Sequence, residues 1–111
     1  MYAQVVRFDG PRSPELVAAS ERAGRERLTP AVLADPEVVA AHVATYVLRA
    51  PDGGELIVIV SDTEAALDRG SQIVLATELL PGEDPALLTE PDHVDRYAVV
   101  HAIEHGKVVV P

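Results

Sequence analysis

No cysteine occurs in the chain. That absence excludes disulfides, thiolate nucleophiles, iron–sulfur clusters and cysteine-type zinc sites, and it fits a reducing compartment. Basic residues are scarce beside acidic ones, 9 Lys+Arg against 18 Asp+Glu, for a formal charge of -9. A nucleic-acid partner is not expected, because affinity for phosphate backbones comes from Lys and Arg. No apolar stretch approaches the ~18 residues of a membrane span, and the opening Met1-Tyr-Ala-Gln-Val-Val-Arg-Phe-Asp lacks a basic region followed by a long apolar run. A cytoplasmic protein without membrane contact is the expectation. What is present is a composition of globular type, 48% hydrophobic and 24% charged, in 111 residues. This length suits one domain and a core that folds without staples.

Along the chain, Tyr2 to Asp9 carries Val5, Val6 and Phe8 and stops at Gly10-Pro11, which reads as a first strand. Ser13-Pro14-Glu15 then supplies a capping hydroxyl, a proline tolerated at the first helical position and an acid near the positive end of the dipole. The helix so opened is expected to run to about Leu33, bent or restarted at Pro30 and ended by Asp35-Pro36. Val38 to Ala50 is apolar and β-branched, followed by Pro51-Asp52-Gly53-Gly54 and the run Leu56 to Val60. This predicts a hairpin, with Asp and Gly where its turn needs unusual backbone angles. Ser61-Asp62-Thr63-Glu64 has capping-box spacing, and the apolar period from Ala66 to Leu80 predicts a second helix, interrupted by Gly70. A strand at Ile73 to Leu75 is the alternative. The acidic, proline-rich segment 81–93 reads as a loop, Val94 to Ile103 as the last strand, and 106–111 as a tail or short added strand beyond a domain of residues 1–105.

The order βαββαβ predicts an α+β domain: a four-stranded antiparallel sheet of ferredoxin-like topology with two helices on one face. Leu56 to Val60 is apolar at every position and the flanking strands nearly so, whereas a sheet wetted on one face alternates. Four strands at ~4.8 Å spacing match the width of two helices of ~10 Å, so the helices cover one face only. The other face calls for a second copy of the chain, and a symmetric homodimer through that face is expected.

With this arrangement the sequence resembles the dimeric α/β-barrel superfamily, which includes antibiotic-biosynthesis monooxygenase-like and stress-responsive barrel proteins. The resemblance lies in Met1-Tyr-Ala-Gln-Val-Val-Arg-Phe8, Leu28-Thr-Pro-Ala-Val-Leu-Ala-Asp-Pro36, Ser61-Asp-Thr-Glu-Ala-Ala-Leu67 and Asp95-Arg-Tyr-Ala-Val-Val-His101. It implies the fold, the dimer and two classes of function. One is cofactor-independent, monooxygenase-like chemistry on a small apolar or aromatic compound held between helices and sheet. The other is a non-catalytic ligand-binding or structural dimer. Haem-degrading and several quinone-forming relatives carry a Trp where this chain has Ser61, and an Asn where it offers Gln4 or Ile57; the chain has neither Trp nor Asn. No catalytic residue therefore carries over.

The candidates come from residue type and strand parity. His101 with Tyr97 is the candidate catalytic pair, His42 with Tyr46 the candidate ligand-binding pair, and Arg7 a forked donor for an anionic or phenolate group. Each has a plain structural reading beside it: hydrogen-bonded core or interface residues for His and Tyr, and a strand-end ion pair with Asp9 for Arg7. His101 and His105 would stand ~13 Å apart along a strand, too far to chelate one ion, so neither a metal nor a cofactor is expected. His93 reads as solvated, the basic cluster Arg22, Arg25 and Arg27 as self-paired with Glu21 and Glu26, and Asp52-Gly53-Gly54 as a turn. Ser61-Asp62 lacks a nucleophile elbow and reads as helix capping. Ala86-Leu87-Leu88 is either the apolar side of a lid or an anchor for its loop.

Overall fold

The β-branched runs become four strands in a computed structural model that describes all of residues 1–111: β1 (Tyr2–Phe8), β2 (His42–Arg49), β3 (Glu55–Ser61) and β4 (His93–Ala98). They pair antiparallel in the order β2-β3-β1-β4, with β1 and β3 central. The helices lie on one face, and the architecture is the α+β, ferredoxin-like one expected from the element order.

Helix α1 (Pro14–Arg22) starts where its cap dictates, the Ser13 hydroxyl accepting from the Leu16 N–H at 3.2 Å. Pro30 has no N–H to give to the carbonyl four residues back. Before it the chain widens into a π turn over Ala23–Leu28, closed by the Thr29 N–H on the Gly24 carbonyl, and restarts as α2 (Thr29–Leu33). The residues after Asp35 differ from expectation. Val38 to Ala41 belong to a further helix, α3 (Pro36–Ala41), not to the second strand. Asp35 accepts from the Val38 N–H, Pro36 sits at the start and Glu37 in the first turn, which repeats the Ser13-Pro14-Glu15 device and overrides the β-branched pattern. Helix α4 (Glu64–Ala76) is likewise capped by Thr63, whose hydroxyl accepts from the Ala66 N–H, and not by Ser61. Ser61 is the buried last residue of β3 and donates to the Ala41 carbonyl.

The β2–β3 turn is held as the Asp-Gly-Gly sequence requires. Gly53 has φ +89°, Ala50 and Gly54 bond across the turn, and the Asp52 side chain accepts from the Gly54 N–H. Its tip docks on the β1–α1 connection. Arg12 donates to the Gly53 carbonyl and to Ser20 Oγ and lies 5.0 Å over the Phe8 ring, and its own N–H bonds the Asp52 carbonyl. A Cβ on Gly53 would come 2.6 Å from the Arg12 carbonyl oxygen.

The last strand ends early. β4 stops at Ala98, opposite Tyr2, and Val99 makes the final bond to Met1. Residues 102–110 instead form a separate hairpin, β5 (Ala102–Glu104) with β6 (Lys107–Val110), turning on His105 and Gly106 at φ 50° and 74°. The boundary expected at 105/106 falls inside that turn.

Candidate functional site

Register assigns every strand residue to a face. Gln4 bonds Ser71 of α4, which fixes its row (Thr45, Ile59, Gln4, Arg96) and every second row from it as the helix side. The alternate rows form the open side: Ala44, Val60, Ala3 and Tyr97; Tyr46, Val58, Val5 and Asp95; Leu48, Leu56, Arg7 and His93. Nine of these twelve side chains are apolar or aromatic, and no element of the chain covers them. Tyr46 is 58% exposed, Leu48 50% and Tyr97 56%. Polarity is graded across the face, from the apolar β2 column to the β4 column of His93, Asp95 and Tyr97.

Of the residues singled out from sequence, Arg7, Tyr46 and Tyr97 share this open face, away from the helices rather than in a pocket beneath them. Tyr46 and Tyr97 stand on opposite edge strands, about 14 Å apart across the sheet. Arg7 forms the strand-end ion pair with Asp9, 3.0 Å apart. The two histidines are elsewhere. A register shift between His42 and Ala44 breaks the parity that joined His42 to Tyr46, so His42 aligns with Ser61 and bonds Thr45 Oγ1 at 2.8 Å. His101 lies beyond the end of β4, exposed, with Nδ1 3.1 Å from the Pro111 carbonyl. The parity argument that put Tyr97, His101 and His105 on one face fails because the strand stops at Ala98. His93 is the first residue of β4, opposite Arg7, rather than a loop residue.

Part of the contact between sheet and helices is polar. Arg96 donates to Gln4 Oε1 at 2.7 Å and to Asp68 of α4 at 2.6 Å, and Gln4 in turn donates to Ser71. The sequence signal for this chain was the arginine in a strand two residues from Ala98, with Asp68 and Ser71 one turn apart on α4. A concavity of about 460 Å³ is a wide depression on α4 bounded by Arg69, Gln72, Ile73, Ala76 and Thr77, away from every candidate residue. No three His, Asp or Glu side chains cluster closely enough to hold a metal ion.

The segment 81–93 is tied down at its start. Glu83, nearly fully buried, accepts from the Leu80 N–H at 2.7 Å and from Arg27 at 2.8 Å, while Arg22 holds the Pro81 carbonyl. The Leu80 N–H, then the Arg27 guanidinium, hold the Glu83 carboxyl below its ordinary value against the opposing effect of burial. At the other end of the helical layer, Arg49 bridges Glu55 and Glu21, tying β2 and β3 to α1. The bond to Glu55 chiefly raises the Arg49 pKa above its ordinary value.

No protein-family model matches the sequence, and no curated protein matches it. Among solved structures, a dimeric ferredoxin-like protein from an uncultured marine organism is similar, with a TM-score of 0.60 and 13% identity over 93% of this chain and 91% of that one. No helix of this chain is long and apolar enough to cross a membrane. At that identity the likeness carries the architecture alone, and it assigns this chain the ferredoxin-like fold.

Proposed function

We propose that the chain is one subunit of a symmetric homodimer, an α/β barrel made by packing two open sheet faces together, and that it serves as a non-catalytic dimer module. One observation carries this reading: nine apolar or aromatic side chains lie uncovered on one sheet face of a chain that by itself buries only 8 of 111 residues. The description of the similar marine protein as dimeric supports it. The monooxygenase-like alternative has less support, since it needs Tyr97 and His101 around one small apolar compound and these stand on different elements. Native mass spectrometry of the gently purified protein tests both readings. A species at twice 11.8 kDa without adduct is expected. A monomer at micromolar concentration overturns the dimer, and a stoichiometric small-molecule adduct moves the assignment to a ligand-binding or monooxygenase-like barrel.

A further inference from the structure

Beyond β4 the chain builds a hairpin that has little of its own to pack on. β5 and β6 pair with each other, and neither makes a comparable contact with the body of the protein. An isolated two-stranded hairpin is marginal in water. Yet this one is locally well encoded: His105 and Gly106 both take the positive φ of a tight hairpin turn, and His101 closes its base on the Pro111 carbonyl. It is also apolar where it is most exposed, with Val100 at 80%, Ile103 at 60% and Val108 at 61%. A hairpin specified by its turn and clad in valine and isoleucine lacks only a surface.

We propose that residues 100–111 form an arm that packs on a second copy of this chain, across the rim of the paired sheets. The inference rests on the dimer reading above and adds the arm to it. Three observations select a second copy as the occupant. The arm leaves β4 one residue past Ala98, next to Tyr97, which is on the open face itself, so it starts at the edge of the proposed interface. Its length fits: four residues of strand reach about 13 Å, and facing sheets lie about 10 Å apart. The area also calls for it. Taken as a flat footprint, four strands of about seven residues give roughly 450 Å² per subunit, a small patch for a stable interface, and the arm enlarges it. Charge does not oppose the contact, because Glu104 and Lys107 cancel within the arm and the rest of the chain carries the whole -9.

The test has two arms, both on a protein whose lack of cysteine and small size keep the readout simple. In the first, the full chain and a version ending at Val99 are compared by sedimentation equilibrium, with circular dichroism reporting the fold of each. The expected result is a dimer dissociation constant raised at least tenfold by the truncation. An unchanged constant overturns the arm and leaves the sheet-face dimer standing, whereas a monomeric full chain overturns the sheet-face dimer and the arm with it. In the second, Val108 of the full chain is replaced by benzoylphenylalanine and irradiated at dilute concentration. Cross-linked product at twice the chain mass supports the proposal. Cross-links confined to one chain, to another protein, or absent altogether overturn it, and this outcome is read even if the truncated chain does not fold.

Discussion

Thr63 and Ser61 show how two hydroxyls two residues apart divide the work at the end of a strand. Thr63 satisfies the Ala66 N–H, while Ser61, buried, donates to the Ala41 carbonyl and accepts from the Thr63 N–H. Thr63→Ala is expected to destabilise the protein by about 1 kcal/mol and to speed hydrogen exchange at the Ala66 amide. Ser61→Ala leaves that amide protected, so exchange rates at one proton separate the two roles. Glu83 makes a second residue-scale case. Its carboxyl is held below the ordinary glutamate value by the Leu80 N–H and Arg27, so the folded chain binds that proton less readily than the unfolded chain does. The stability this contributes is complete above the ordinary glutamate value and is lost as the pH falls through the lower, folded value. Glu83→Gln is therefore expected to lower stability at pH 7 and to flatten its decline as the pH falls below the ordinary glutamate value. Urea unfolding at several pH values measures the slope, and parallel slopes for parent and variant would remove Glu83 from the account.

At the scale of elements, the tip of the β2–β3 hairpin depends on one side chain from another segment. Arg12 supplies two hydrogen bonds and a contact over Phe8, so Arg12→Ala is expected to destabilise by about 2 kcal/mol, with amide exchange rising first at Gly53 and Gly54. An equal rise throughout the sheet would show instead that Arg12 supports the fold as a whole. This turn, the Ser13 cap and the break at Pro30 were legible in the sequence because each is a local backbone rule stated by one or two residue types. Helix α3 was written there too, in Asp35-Pro36-Glu37, but Val38-Val39 carries the opposite β-branched signal, and the cap prevailed. The end of β4 was not legible. Val99-Val100 is more apolar and β-branched than the strand before it, and pairing stops because the ladder with β1 ends at Tyr2, a tertiary fact. The candidate site shared this fate: parity put His42 with Tyr46 and His101 with Tyr97, and a bulge in one case and a strand end in the other parted them.

For the whole molecule, the apolar run of β3 is the sequence's argument that both sheet faces need cover, and the placement of the helices decides which face is left open. Val58 lies in a central strand of the open face, between Val5 and Tyr46. In the proposed dimer its side chain meets the partner sheet with no water to solvate a charge. Val58→Asp therefore buries an unpaired carboxylate twice in each dimer, a penalty of several kcal/mol, and the dissociation constant should rise at least a hundredfold. A control is needed, because an acidic residue added to a chain of charge -9 raises repulsion wherever it sits. Leu75→Asp provides it: Leu75 is 85% exposed on α4, on the helical side of the sheet, and carries the same change of charge. Sedimentation equilibrium is expected to find Val58→Asp monomeric at concentrations where Leu75→Asp remains a dimer. If both variants dissociate alike, repulsion rather than the sheet face controls assembly, and if neither does, the subunits meet through another surface and the open sheet face is left without the role that its nine apolar side chains give it.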